Sequence, residues 1–139
     1  MGNFSNIQIL FVAGFGPISR DQEPSQKFFS DTLGIPFKEM GDGYLHTQEL
    51  VGTRYFAIWP LSQAAESCFG TATWPSNTTI PQAWIEFDVE DIAAATQELK
   101  DQGFDLLVAA RVEPWGQMVT RLLSPEGLLV GITHTPWQR

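Results

Sequence analysis

The chain has 139 residues, 43% of them hydrophobic and 17% charged, a balance that suits one compact domain and excludes a disordered or fibrous one. Sixteen Asp and Glu oppose eight Lys and Arg, for a net charge of -8. That excess makes nucleic acid a poor partner, since phosphates need cations; it draws cationic ligands or simply favours solubility. No apolar run approaches the roughly 20 residues needed to cross a bilayer, so no membrane contact is expected.

The start, Met1-Gly2-Asn3-Phe4-Ser5, lacks a basic segment followed by a long apolar core, and Asn6 stands where myristoylation wants Ser or Thr. A cytoplasmic protein is the expectation. Residues 7–13 form an apolar run broken only by Gln8 and stopped by Gly14, which predicts a buried strand. Pro24 suits the first turn of a helix, Phe28, Phe29 and Leu33 its apolar stripe, and Gly34 its end. Residues 37–40 and 44–48 flank Gly41-Asp42-Gly43, a hairpin signal. Residues 53–59 read as a further strand, stopped by Pro60.

Residues 61–81 show little periodicity and read as a long connection. The single cysteine, Cys68, falls there and reads as an ordinary small loop residue, and Asn77-Thr78-Thr79 reads as an unused glycosylation match. The pattern then restarts. Residues 83–89 alternate, with Trp84, Glu86 and Asp88 on one face and Ile85, Phe87 and Val89 on the other. Asp91 is placed to cap a helix over 92–102, ended by Gly103, with Ile92, Ala95 and Leu99 on one side. Residues 106–112, 117–123 and 128–133 follow as strands, the last two joined by the turn Ser124-Pro125-Glu126-Gly127. Each half therefore reads strand, helix, strand, strand, strand, with "LGIPF" after the first helix and "QGFDL" after the second.

The entry Pro114-Trp115-Gly116, the turn Pro125-Glu126-Gly127, and Glu86-Phe87-Asp88-Val89-Glu90-Asp91 leading into a helix occur in an order that resembles the glyoxalase / bleomycin-resistance / dioxygenase (vicinal oxygen chelate) superfamily. The resemblance covers nearly the whole chain. It implies an α+β fold of two βαβββ modules, each a half-open curled sheet: a single domain over 1–139, with module one at about 5–60, a connection at 61–81 and module two at about 82–135. It also implies a homodimer, which open strand edges favour.

Metal-dependent members of that family carry one ligand on the first and fourth strands of each module. Strand alternation puts those positions on Gln8, Ala57, Trp84 and Gly131. Only Gln8 bears a usable donor, and a catalytic ion needs about three protein ligands. A register slip would bring His46 into the cavity, which still falls short; His134 lies beyond the last position. No metal, no cofactor and no catalytic residue is expected, and the character is closest to the metal-free bleomycin-resistance branch. Tyr55, Trp59, Trp84, Glu86, Asp88 and Trp115 are the candidate ligand-binding residues, through stacking and cation–π attraction. The same aromatics are also read as core filler, more so Trp74 and Trp137, and Glu86 with Asp88 as an acid–base pair or a polar lining. The expected function is sequestration of an aromatic or cationic small molecule such as an antibiotic; the alternatives are a metal-dependent lyase of glyoxalase type or a dioxygenase, or a degenerate member that serves dimerisation.

Overall fold

The computed structural model describes residues 7–139; the readings placed on residues 1–6, including the start of module one at residue 5, lie outside them. The fold is α+β, one curled and unclosed eight-stranded sheet. Its elements in chain order are β1 (Ile9–Ser19), helix α1 (Gln22–Gln26) running on into a π-helical turn (Lys27–Thr32), β2 (Lys38–Glu39), β3 (Leu45–Thr47) and β4 (Phe56–Pro60). After α2 (Leu61–Phe69), β5 (Ala83–Val89), α3 (Ile92–Asp101), β6 (Val108–Val112), β7 (Met118–Leu123) and β8 (Leu129–His134) repeat the order. The strands lie side by side as β2-β3-β4-β1-β5-β8-β7-β6. The halves therefore meet at the antiparallel β1–β5 seam, and β1–β4 and β5–β8 are the parallel pairs.

Local chemistry sets most boundaries as expected. The Asp91 carboxylate accepts from the Ala94 N–H at 3.0 Å, capping α3. Ile92 and Ala95 then pack against Val89 and Ile132, with Phe87 beside them, so the helix-facing side of β5 is the one alternation predicts. In the last hairpin, Ser124 accepts at its carbonyl from Gly127 and at its hydroxyl from Leu128. Gly127 has φ 89°, which a side-chain-bearing residue rarely adopts.

Three expectations change. First, β1 does not stop at Gly14 but continues through Gly16 and Pro17 to Ser19, and its outer end, Ile9, Leu10 and Val12, is exposed. The glycines are there for close approach rather than for a turn. A Cβ at residue 16 would lie 1.8 Å from the Ala57 carbonyl oxygen. Second, the connection over 61–81 contains the helix α2, whose Ala64, Ala65 and Cys68 are buried, so Cys68 is a core residue rather than a loop one. Ala64, Ala65 and Cys68 stand at helical spacing, so the stripe is present in the sequence although its side chains are small. Third, Phe28 and Leu33 on the first helix are exposed, and Phe29 alone of the stripe reaches inward, edge-on to Phe56 at 6.1 Å. No helix among the described residues is long and apolar enough to cross a membrane.

Candidate functional site

The inner side of the curled sheet holds a cavity of about 480 Å³. Ala13 of β1, His46 of β3 and Trp59 of β4 line it from the first half, with Tyr44 and Tyr55 from the flanking loops. Trp84 and Glu86 of β5 and Arg121 of β7 line it from the second, with Gln117 and Thr135. Trp115 and Trp137, 52% and 54% exposed, stand at its mouth. A larger and more open groove of about 850 Å³ lies alongside and shares Met40, Trp59, Gln63 and Trp115, which form the lip between the two.

The wall is aromatic and interlocked. Trp84, 4% exposed, meets Tyr55 and Trp59 edge-on at 6.4 and 6.0 Å between centroids. Its indole N–H donates to the Ala57 carbonyl at 3.1 Å, tying β5 to β4 across β1. Burying an indole of this size contributes about 4–6 kcal/mol by area, so Trp84 is at once wall and core. His46 stacks on Tyr55 at 5.6 Å, and the Tyr44 and Tyr55 hydroxyls share a 2.6 Å hydrogen bond. Burial pushes both phenols above their ordinary range, Tyr44 the further. Burial, with the charge of Lys38, also lowers His46, which holds its imidazole neutral near pH 7.

The polar floor is an ion pair. Arg121, 1% exposed, donates to Glu86 Oε2 at 3.0 Å and lies 4.8 Å from the centre of the Trp59 ring. Gln117 Nε2 donates to Glu86 Oε1 at 3.0 Å and to the Thr135 hydroxyl at 2.9 Å, while its own oxygen accepts from the Trp115 indole at 3.0 Å. Both Glu86 oxygens are thus engaged.

Of the six residues proposed from sequence, Tyr55, Trp59, Trp84, Glu86 and Trp115 lie on this cavity; Asp88 does not. Asp88 is fully buried, accepting from the Thr133 hydroxyl at 2.6 Å, the Thr135 N–H at 3.0 Å and Arg139 Nε at 3.0 Å, so it fastens the end of β8. Alternation alone gave Asp88 the face of Glu86; the distant partners that claim it are not visible along the chain. The reading of Trp137 as core filler also changes, since the short helical turn Pro136–Gln138 carries it to the mouth, whereas Trp74 is buried against Phe69. Arg121 and Gln117 escape sequence reading because Glu86, the carboxylate both donate to, lies far from both in sequence.

The family-equivalent positions shift once. Gln8 precedes β1 and is exposed, so it is not the first-strand position. Trp84 stands seven residues ahead of the cap Asp91, and Gly14 stands seven ahead of Asp21, which begins α1. A Cβ at residue 14 would lie 3.0 Å from the Tyr55 ring and 3.1 Å from the Trp84 ring, facing the cavity wall. By that offset Gly14 is the counterpart of Trp84 in the first half.

The sequence model of the Glyoxalase/Bleomycin resistance protein/Dioxygenase superfamily matches residues 16–132. The chain belongs to that superfamily. No curated protein matches it. Among solved structures, a superfamily member from Vibrio splendidus 12B01 is similar at TM-score 0.60 and 18% identity, over 94% of this chain and 100% of that one. A Streptomyces coelicolor methylmalonyl-CoA epimerase in complex with 2-nitronate-propionyl-CoA is similar at TM-score 0.59 and 17% identity, over 93% and 99%. A Mn(II)-bound glyoxalase from Novosphingobium aromaticivorans is similar at TM-score 0.53 and 20% identity, over 88% of this chain and 37% of that one. At these identities the likeness speaks for the fold alone.

A divalent ion does not fit the residues present. Gly14, Ala57 and Gly131 offer no donor side chain, and the Trp84 indole N–H donates to Ala57 rather than offering a lone pair. Among the described residues no three His, Cys, Asp or Glu come together as a metal set, and His46 has no such companions. The space is also taken. Trp84 fills the ground in front of Gly14, and a Cβ on Gly131 would come within 2.8 Å of Glu86 Cγ and 3.5 Å of Arg121 Nη1.

Proposed function

We propose that this chain is a metal-free small-molecule binding protein of the superfamily, which sequesters a flat aromatic compound such as an antibiotic. The observation that carries this reading is the cavity of about 480 Å³ walled by Tyr55, Trp59 and Trp84 at and around the family's ligand positions. Its size suits a small organic guest, and aromatic walls with a few placed polar groups are the usual make-up of such sites. Attraction of a cation is the weaker part of the reading, because Arg121 and Gln117 already engage the Glu86 carboxylate. Trp115 and Trp137 at the mouth would close over the guest. A homodimer is part of the proposal: among the described residues, β2 and β6 each have one edge that no strand covers.

The test is titration of a panel of planar aromatic compounds, neutral and cationic, against intrinsic tryptophan fluorescence. Saturable quenching by at least one planar aromatic member is expected, and silence across the panel overturns the reading. Metal analysis of gently purified protein addresses the enzymatic alternative. Stoichiometric zinc, nickel, manganese or iron would favour a lyase or dioxygenase instead.

A further inference from the structure

The cavity floor contains a cation that the family's metal chemistry does not require. Arg121 is 1% exposed, lines the cavity, and spends one nitrogen on Glu86. Its Nε is buried and has no hydrogen-bond acceptor. A guanidinium N–H left without a partner in a dry site costs about as much as a lost hydrogen bond, which a protein tolerates where a ligand supplies the acceptor. The glycine at 131 explains how the group fits. A Cβ there would press on Glu86 Cγ at 2.8 Å and close on Arg121 Nη1 at 3.5 Å, so the bare backbone of β8 makes room for the pair. Trp59 lies against the guanidinium on one side and Glu86 holds it by one nitrogen, which fixes its orientation.

We propose that Arg121 is the anchor of the cavity and stands in for the metal ion: its guanidinium donates to a carbonyl oxygen on the aromatic guest. The guest class this defines is a planar aromatic ring bearing a carbonyl oxygen, in preference to a ring bearing an ammonium group. The inference rests on the reading of the cavity as a binding site for aromatic compounds. Each Glu86 oxygen already accepts a hydrogen bond and Arg121 offsets the carboxylate's charge, whereas Arg121 keeps an N–H with no acceptor. Charge-assisted bonds of this kind are the strong ones, and the ring on the same molecule stacks on the aromatic wall.

Three matched probes test this by equilibrium dialysis: acetylnaphthalene; isopropenylnaphthalene, in which a CH₂ replaces the oxygen; and naphthylmethylammonium. Wild-type protein is expected to bind acetylnaphthalene about tenfold tighter than isopropenylnaphthalene, and tighter still than the ammonium probe. Arg121→Lys keeps the charge but removes Nε. It is expected to abolish most of the carbonyl preference while leaving isopropenylnaphthalene affinity within about twofold, a split that general loosening of the fold would not produce. If the lysine form does not fold, a crystal structure of wild-type protein with acetylnaphthalene decides: the carbonyl oxygen is expected within hydrogen-bond distance of the Arg121 guanidinium, and an oxygen placed away from it overturns the proposal. Equal binding of the carbonyl and alkene probes by wild type, or a stronger grip on the ammonium probe, also overturns it. If no probe binds at all, it is the aromatic-binding reading that fails.

Discussion

The two halves of the molecule answer the same structural question in opposite ways. At the position seven residues ahead of the helix, the first half has Gly14 and the second has Trp84. On the fourth strand both halves are small, Ala57 and Gly131, but what fills the ground in front of them differs. Trp84 hydrogen-bonds to the carbonyl of Ala57, whereas the Glu86–Arg121 pair crowds against Gly131. The second half therefore supplies the bulk and the charge, and the first half supplies the vacancies that receive the indole. A site that would need matched donors from both halves to hold an ion has become a lock in which one half fits into the other.

Breaking the ion pair should have the largest effect. Arg121→Met leaves Glu86 buried with Gln117 alone as partner and is expected to cost about 3–5 kcal/mol in denaturant unfolding. A loss under about 1 kcal/mol would mean the pair is dispensable and the second half is not organised around it.

Gly16→Ala should come next, at about 3 kcal/mol or more. Its Cβ would meet backbone, the Ala57 carbonyl at 1.8 Å, and backbone can yield only by parting β1 from β4. Thermal unfolding of this single variant checks the claim that the first half's glycines serve close approach.

An alkaline titration reports on the helix that follows the first half. Burial pushes the Cys68 thiol up to about 11 from an ordinary value of 9.0. The folded state therefore holds its proton more tightly than the unfolded chain does. That contribution is complete below pH 9 and is lost as the pH rises toward 11, for a total of about 3 kcal/mol. Cys68→Ala should flatten this part of the stability curve. The same burial predicts that a thiol reagent at neutral pH labels Cys68 only on unfolding.

The smallest effect sharpens the comparison most. Gly14→Ala brings a methyl to 3.0–3.1 Å from the Tyr55 and Trp84 rings and should cost about 1–2 kcal/mol. In a Trp84→Leu background the same change should cost about half as much, because only the Tyr55 ring is left for the methyl to meet. A double-mutant cycle measures the difference; additivity would show that residues 14 and 84 are not fitted to each other.

Much of this was legible along the chain. The alternation around Trp84 and Glu86, the capping Asp91 and the Pro-Glu-Gly turn each have a local cause, and each lies where local chemistry puts it. Three features had no local signal, and a fourth, helix α2, had one that the proline before it masks. Gly14 and Gly16 read as a break because a glycine that ends a strand and one that admits a neighbour look the same in one dimension. That put the expected first-strand position on Gln8, which lies ahead of β1. Helix α2 does carry a helical spacing in Ala64, Ala65 and Cys68, but it follows a proline that reads as a stop. The partners of Asp88 and the placing of Arg121 over Trp59 depend on side chains far apart in sequence.

The amide of Gln117 has one further consequence. Its oxygen faces an indole that can only donate, and its nitrogen faces a carboxylate that can only accept, so the group cannot be turned over without losing both contacts. The doorway tryptophan and the floor carboxylate are thereby geared together. Displacing Trp115 would leave the Gln117 oxygen without that donor, so the rim and the floor of the cavity share one amide.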